Sequence, residues 1–189
     1  HTAGARTQAD WLLFTDGDVH FAPDALRRAV AYALKHRLGH LVTMPTLVTR
    51  GFLERSFVTC FGTFLNLKLR TWELSRPRTR AFIGIGAFNL VRRDAYESIG
   101  GHTRLALEVV DDAKLGLILR RSGVPQAAIH ADRLVSVRWQ PGFWASLRGL
   151  IKNAFAASEW SVPVLALGMA FLALLGLVPL LAVVTGPTA

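Results

Sequence analysis

The sequence predicts an α/β fold in which helices cover a sheet, and three observations support this prediction. Residues 11–14 are all large and apolar, which is typical of a short strand buried on both faces of a parallel sheet. Apolar residues recur at helical spacing over positions 25–34, and Gly39 provides a stop. Residues 40–44 are predicted to form a second buried strand, which ends at Pro45. A strand, a helix and a strand at this spacing indicate a βαβ unit of a parallel sheet.

The composition narrows the classes of protein to which the chain can belong. Its 189 residues suffice for one domain with a substantial core. It carries 22 Lys and Arg against 13 Asp and Glu, a net charge of +9, and no charged residue follows Glu159. The positive charge favours a phosphorylated substrate or an anionic lipid over nucleic acid, because the arginines are scattered in pairs. A single cysteine, Cys60, excludes an internal disulfide and indicates a reducing compartment.

Two carboxylates, Asp16 and Asp18, follow the first predicted strand and flank Gly17. In open α/β sheets, ligands bind just beyond the carboxyl ends of strands. Residues two apart on an extended chain project to the same side, and Gly17 allows close approach of the backbone. Two hard oxygen ligands at such a place suit a Mg²⁺ or Mn²⁺ ion that carries a diphosphate. A solvated Asp-Gly turn is the alternative interpretation.

Gly84 and Gly86 come shortly before another predicted strand, at residues 89–91. Glycines in such a place indicate backbone that a ligand approaches or that bends sharply. A tight bend before the strand is the simpler of these two interpretations. After the strand, Asp94 is predicted to cap a short helix over residues 95–99.

A second pair of carboxylates, Asp111 and Asp112, stands at the start of a predicted helix that Gly123 ends. Capping of the helix would account for one of the two aspartates. A second, adjacent carboxylate that faces a cleft needs another reason. Short strands are predicted to follow at residues 126–130 and 134–137.

Three further segments are predicted to be helical. Residues 51–74 are rich in aromatic side chains, and their helix either packs in a core or lies on a bilayer surface. Residues 143–157 carry an apolar stripe, with Arg148 and Lys152 elsewhere on the wheel, which predicts an amphipathic helix. Residues 162–184 are uncharged and would rise about 34 Å at ~1.5 Å per residue. This length can cross a hydrocarbon core of about 30 Å.

Three blocks of the sequence, in this order and spacing, resemble a known family. Residues 14–19 match an Asp-x-Asp metal motif, residues 86–102 contain a segment that ends in a Gly-Gly pair, and residues 111–116 are similar to a Glu-Asp-x-x-Leu-Gly block. The chain therefore resembles a membrane-bound, inverting family 2 glycosyltransferase with the Rossmann-like GT-A fold. The resemblance implies that the first strands of this fold and its uracil-binding residues precede position 1, so we expect an N-terminally truncated core.

The resemblance also implies roles for particular residues. Asp16 and Asp18 stand at the nucleotide-metal site, with Asp18 preferred as the direct ligand of Mg²⁺ or Mn²⁺. Asp112 stands at the position of the catalytic base, and Asp111 stands where the family usually has Glu. Arg138 and Trp139 match the end of the family's Gln-x-x-Arg-Trp motif, although Val135 replaces its Gln. The expected donor- or acceptor-binding residues are Gly84, Gly86, Asp111, Arg138 and Trp139.

The resemblance predicts three parts in the chain. Residues 1–140 would form the C-terminal part of the GT-A catalytic domain, residues 141–160 an amphipathic interfacial helix, and residues 161–189 a transmembrane segment. The expected activity is transfer of a sugar from a nucleotide-diphosphate sugar to a lipid or polysaccharide acceptor of the cell envelope, such as a glycolipid. The catalytic domain would lie in the cytoplasm at the inner membrane, and nucleic acid is not an expected partner.

Two alternatives stay open at the level of the sequence. A metal-dependent phosphosugar or nucleotidyl transferase would use the same pair of carboxylates, without needing Asp112 across the cleft. A non-catalytic membrane adaptor would use the aspartates only as helix caps and turn residues.

Overall fold

The computed structural model describes residues 7–76, 79–105 and 110–157, together with a few positions between 163 and 174. The strands are β1 (Trp11–Phe14), β2 (Val19–Phe21), β3 (His40–Met44), β4 (Thr46–Leu47), β5 (Asn89–Arg92), β6 (Gln126–His130) and β7 (Val135–Val137). The helices are α1 (Ala25–Lys35), α2 (Phe52–Leu69), α3 (Arg93–Ser98), α4 (Asp111–Arg121) and α5 (Phe143–Ala157). Two compact units divide the chain: His1–Val48 with Leu69–Arg138, and Thr49–Lys68 with Trp139–Ala189.

The larger sheet of the first unit has the strand order β1-β5-β3-β6. Strand β5 is antiparallel to both of its neighbours, whereas β3 and β6 are parallel. Strands β1 and β3 therefore run in the same direction, as expected for a βαβ unit, but β5 lies between them. Leu90 of β5 pairs with Leu13 on one side and Leu41 on the other. The sheet is mixed and not parallel throughout, because β5 inserts between β1 and β3 from later in the chain.

Strand β1 is less buried than its apolar run predicts. Leu12 is buried, whereas Trp11, Leu13 and Phe14 are each partly exposed. In the described part of the chain, β1 lies at the edge of the sheet and pairs with β5 alone. An edge position explains the partial exposure, because a neighbouring strand covers only one side.

A smaller sheet with the order β2-β7-β4 extends from the end of β1. Strand β2 is antiparallel to β7, and β4 is parallel to it. Neither β2 nor β4 was predicted, since each is only two or three residues long and its stability comes from pairing with β7. In this sheet, Val19 of β2 pairs with Val137 of β7.

Helices cover both faces of the larger sheet. On one face, Leu115 and Leu119 of α4 pack with Leu12 and Val91 of the sheet. On the other face, α1 and the sheet residues Leu41 and Leu90 belong to a second buried cluster. This arrangement confirms an α/β fold with helices on both sides of the sheet.

The predicted helix caps are wrong in detail. Helix α3 begins at Arg93 and α4 begins at Asp111, so Asp94 and the two aspartates lie inside the first turns. In the part of the chain that the structure describes, the capping residues Arg92 and Val110 make no side-chain cap hydrogen bond. Carboxylates in a first turn still stabilise the helix, because they face the positive end of its dipole.

The second unit contains α2 and α5, and both predicted helices are present. The Phe57 and Phe143 rings meet edge to face with centroids 5.5 Å apart. Glu54 of α2 is only 3% exposed, and its carboxylate accepts a hydrogen bond from the Arg50 N–H at 3.1 Å. Phe52 and Leu53 of α2 are exposed, and a position of this helix on a bilayer surface stays a prediction.

The predicted transmembrane segment at residues 162–184 lies, apart from a few positions, outside the described residues. Within the part of the chain that the structure describes, no helix is both long enough and apolar enough to cross a membrane.

Candidate active site

The end of β1 is tied to the loop that precedes β5. The backbone N–H of Asp16 donates to the Gly86 carbonyl at 2.9 Å, and the Thr15 hydroxyl donates to the Ala87 carbonyl at 2.9 Å. The Asp16 carboxylate lies directly against Gly86, because a Cβ atom at that position would be 2.5 Å from Asp16 Oδ2. Glycine is therefore required at position 86 for Asp16 to keep its place.

Asp18 occupies a different position from the one expected. Gly17 and Asp18 form a turn, not an extended segment, and Asp18 is exposed. Among the described residues that line the neighbouring cleft, Asp16 is present and Asp18 is not. The two side chains are nevertheless close enough to interact. Partial desolvation, and then the charges of Asp18 and Asp111, raise the pKa of the Asp16 carboxyl above its ordinary value.

The side chain of Asp112, in the first turn of α4, binds the loop that precedes β5. Its Oδ2 accepts a hydrogen bond from the Gly86 N–H at 2.7 Å, and its Oδ1 accepts one from the Ala113 N–H at 2.7 Å. Burial raises the pKa of Asp112 above its ordinary value, although these two hydrogen bonds act in the opposite direction. The charges of Asp111 and Asp16 raise it further. Asp111 is exposed and Asp112 is half-buried, and the different tasks expected of the two residues stay a prediction.

Gly84 is needed for packing between this loop and α4. A Cβ atom on Gly84 would overlap the Asp112 carbonyl oxygen, and one on Gly116 of α4 would overlap the Ile83 carbonyl oxygen. The group that approaches the backbone at Gly84 is therefore a helix of the same chain, an arrangement that neither interpretation of the sequence included. A ligand-binding role for Gly84 or Gly86 stays a prediction.

These groups surround an open cleft of about 330 Å³. Its described lining is Leu13, Phe14, Thr15, Asp16, Gly86, Asn89, His102, Asp111, Asp112 and Leu115. The structure thus brings together carboxylates that are about a hundred positions apart in the sequence. Burial and mutual repulsion of these carboxylates favour a cationic or hydrogen-bond-donating ligand.

Two lining residues, Asn89 and His102, were missed by the sequence analysis. Asn89 is buried, and its Oδ1 accepts a hydrogen bond from His40 Nε2 at 2.5 Å. A polar residue at the start of an apolar strand was the signal that could have identified it. His102 directly follows the Gly-Gly pair, but no neighbouring residue in the sequence indicates which group its ring would hydrogen-bond.

Arg138 follows Val137, which pairs with Val19, the residue next to Asp18. Arg138 directly follows β7 of the smaller sheet, and its buried Nε atom has no hydrogen-bond partner among the described residues. Trp139 belongs to the second unit, where its ring stacks on Phe61 at a centroid distance of 5.3 Å. The predicted acceptor-binding role of both residues stays a prediction.

The acidic side chains are compatible with a divalent metal that is held mainly by its substrate. Within the described residues, no three His, Cys, Asp or Glu side chains converge into a complete metal site. Mg²⁺ usually takes only one or two carboxylates, together with water and substrate phosphates. Asp16 and Asp18 supply two such oxygen donors on one turn, and their mutual repulsion favours a cation between them.

The helix-covered sheet, with an acidic cleft at the carboxyl end of a strand, defines the class of α/β enzymes that bind their ligands at such strand ends. The chain matches the family model described as glycosyltransferase like family 2 over residues 2–156. Because this match covers most of the sequence, the chain belongs to that family and is a glycosyltransferase that uses a nucleotide-sugar donor and an acceptor. A search among curated proteins found no match. The resemblance of the three sequence blocks to family 2 glycosyltransferases is thus confirmed, whereas the membrane-bound and inverting character stays a prediction.

Proposed function

We propose that the protein is an inverting glycosyltransferase of the cytoplasmic membrane that transfers a sugar from a nucleotide-diphosphate sugar to a lipid or polysaccharide acceptor. One observation carries the proposal: Gly86 brings Asp16 and Asp112 into the same cleft. Its N–H binds the Asp112 carboxylate at 2.7 Å, while its Cα side contacts the Asp16 carboxylate. Asp16, proposed to act on the diphosphate of the donor, and Asp112, proposed to act on the acceptor, therefore line the same cleft.

Asp112 acts as the general base in this proposal. A carboxylate whose pKa is raised by burial accepts a proton more readily than an exposed aspartate. It takes the proton of the acceptor hydroxyl as that oxygen bonds to the anomeric carbon and the bond to the diphosphate breaks. Attack from the side opposite the leaving group inverts the anomeric centre, so one carboxylate suffices for proton transfer.

Asp16 and Asp18 are the residues that would hold Mg²⁺ or Mn²⁺. Such an ion, when bound, neutralises the charge of the leaving diphosphate. The turn at Gly17 and Asp18 presents these carboxylates at the end of β1, and the hydrogen bond from Asp16 N–H to Gly86 keeps this end in place.

The geometry favours this function over the two alternatives. A phosphosugar or nucleotidyl transferase would need the Asp16 and Asp18 pair but has no use for Asp112 beside it. A non-catalytic adaptor would need the aspartates only for local turns and caps. Asp112 instead binds the N–H of Gly86, which is 26 positions away in the sequence.

The test is turnover of nucleotide-diphosphate sugars by the full-length protein with and without Mg²⁺. We expect turnover that chelation of the metal abolishes. Asp112→Asn should lower transfer by about 10² to 10⁴-fold, the usual effect of a lost general base, while donor binding changes little. Asp18→Ala should weaken metal-dependent donor binding, because a hard cation loses an oxygen ligand.

Asp111→Asn is the matched control for the base, since it changes the neighbouring carboxylate in the same way. If Asp111→Asn abolishes transfer and Asp112→Asn does not, the base is Asp111. If neither substitution affects transfer, the glycosyltransfer mechanism proposed here is wrong.

We further propose that the second unit attaches the protein to the membrane, with the catalytic part in the cytoplasm. Phe52 of α2 is 75% exposed and Trp144 of α5 is 69% exposed, as expected of side chains that enter a bilayer surface. Arg148 and Lys152 stand before the apolar segment and favour a cytoplasmic start.

A reporter domain fused after Ala157 tests this topology in cells. We expect a cytoplasmic reporter, and we expect extraction of the full-length protein to require detergent. An extracytoplasmic reporter, or a full-length protein that stays in solution without detergent, would contradict the proposal.

A further inference from the structure

We propose that His102 and Asp111 together bind one hydroxyl group of a sugar in the acceptor, an inference that rests on the function proposed above. Both residues line the cleft that contains Asp112. His102 lies in a short 3-10 turn, Gly101–Leu105, after the Gly-Gly pair, and Asp111 is the first residue of α4. His102 would thus contact the substrate without taking part in the proton transfer.

The hydrogen bonds of the His102 ring determine where its proton lies. The Tyr96 hydroxyl is 2.7 Å from His102 Nδ1 and also accepts a hydrogen bond from the His102 backbone N–H at 3.1 Å. Tyr96 is buried, and within the described residues its hydroxyl proton has no other acceptor. The hydroxyl therefore donates to Nδ1, because a buried proton without an acceptor is costly. The proton of the neutral ring is then on Nε2.

The ring is held in one orientation. Phe14 packs against it with ring centroids 4.6 Å apart, and the Tyr96 ring lies 5.5 Å away. The preceding Gly101 has φ +60°, and a Cβ atom there would be 3.0 Å from the Tyr96 ring. Nδ1 and the backbone N–H are both engaged, whereas Nε2 has no described partner. His102 thus provides a preorganised N–H donor in a lining that is rich in carboxylates.

A sugar hydroxyl is the group that fits between His102 and Asp111. Ionised carboxylates only accept hydrogen bonds, and the His102 Nε2–H only donates one. A hydroxyl group can donate to Asp111 and accept from His102 at the same time. A phosphate oxygen cannot, since it has no proton to donate and Asp111 repels its charge.

The position of the pair favours the acceptor over the donor sugar. Asp111 is adjacent to the proposed base Asp112, and its Oδ1 accepts a hydrogen bond from the Asp112 N–H at 3.0 Å. Burial lowers the pKa of His102 and outweighs the charge of Asp111, which acts in the opposite direction. The lowered pKa favours the neutral ring, whose Nε2–H donates to a hydroxyl.

The experiment measures kcat/KM of the full-length enzyme for alkyl glycosides from which single hydroxyl groups have been removed. For the unaltered enzyme, one deoxy glycoside should lose more than tenfold in kcat/KM, because it lacks the hydrogen bonds to both His102 and Asp111. His102→Phe, which keeps a ring against Phe14, should lose about tenfold on the complete glycoside, and removal of that hydroxyl should then cost it about tenfold less than it costs the unaltered enzyme. His102→Gln, which keeps an N–H donor, should recover part of the activity.

Three controls separate substrate contact from a structural effect. The KM for the nucleotide sugar should change little in His102→Phe. All rates are measured well below the thermal unfolding midpoint of this variant, which should fall because the Tyr96 hydroxyl loses its acceptor. His20→Phe, the same substitution at an exposed residue of β2, should leave every kinetic constant unchanged. Methyl and octyl glycosides of the same sugar distinguish a free glycan from a lipid-linked one, since only a lipid-linked acceptor gains from the longer chain.

Two results would overturn the inference while leaving the proposed function intact. In the first, the unaltered enzyme transfers sugar and depends on Asp112, but His102→Phe loses equally on every glycoside. In the second, His102→Phe raises KM for the donor and slows its hydrolysis, which would place the contact on the donor sugar. A full-length protein that turns over no nucleotide sugar would overturn both the inference and the proposed function.

Discussion

At the scale of single residues, Gly86 has more effect on the site than its size suggests. Its N–H binds Asp112 and its carbonyl accepts from Asp16 N–H, so one peptide segment aligns both carboxylates. The absence of a side chain lets the Asp16 carboxylate lie against its Cα. A glycine is required here for space and not for a special φ angle.

Gly86→Ala should therefore impair substrate binding more than folding. The added methyl group would lie 2.5 Å from Asp16 Oδ2 and must displace the carboxylate. We expect the affinity for nucleotide sugar in the presence of Mg²⁺ to fall about tenfold, with a small change in the thermal unfolding midpoint. Titration calorimetry on the full-length protein measures the first and calorimetric unfolding the second. Unchanged affinity would show that the position of Asp16 is not needed for binding.

At the scale of elements, α4 and the loop before β5 form one packed unit. Gly84 lies on the carbonyl of Asp112, and Gly116 lies on the carbonyl of Ile83, so the helix and the loop touch through backbone at two places. The Gln126 side chain of β6 also donates to the Gly116 carbonyl at 2.6 Å. These contacts position the first turn of α4, which carries Asp111 and Asp112.

Gly116→Ala and Gly62→Ala should change stability in opposite directions. Both glycines lie inside helices, where alanine is favoured by up to about 1 kcal/mol. A Cβ atom on Gly62 meets no heavy atom within 4 Å, whereas one on Gly116 overlaps the Ile83 carbonyl oxygen. We expect Gly116→Ala to destabilise the protein by about 1–3 kcal/mol and Gly62→Ala to stabilise it slightly. Urea unfolding of the two variants decides this, and equal effects would contradict the packing between α4 and the loop.

At the scale of the whole molecule, a buried polar group links stability to pH. His40 is 0% exposed, its Nε2 donates to Asn89 Oδ1, and burial lowers its pKa to about 4. The unfolded chain takes up the proton near the ordinary pKa of 6.5. Between pH 6.5 and 4 the unfolded chain therefore binds a proton at His40 that the folded protein does not bind. The contribution of His40 to stability is complete above pH 6.5 and is lost as the pH falls towards 4.

The free energy of unfolding should decrease by ~3 kcal/mol over that pH interval because of His40 alone. His40→Gln, which keeps an N–H donor for Asn89 but does not titrate, should remove this part of the pH dependence. Urea unfolding at several pH values from 7 to 4 provides the comparison, with His20→Gln as the control at an exposed histidine. Parallel pH profiles for the parent and His40→Gln would show that His40 does not titrate differently in the two states.

Local sequence patterns determined most of the elements, and the family, of this protein. Strands β3 and β6 and helix α5 have the predicted bounds, because an apolar run or a helical stripe is a property of neighbouring residues. The order of the three carboxylate and glycine blocks was also sufficient to indicate a family 2 glycosyltransferase, which the match over residues 2–156 confirms.

Tertiary structure alone decided which of these residues meet. No local pattern shows that β5 inserts between β1 and β3, that Asp112 binds Gly86, or that His102 joins the cleft through Tyr96. Each depends on a pairing between distant segments, whose free energy comes from shared burial and hydrogen bonds and not from the propensity of either segment. Sequence therefore determined which chemical groups the protein carries, and long-range packing decided which of them share one cleft.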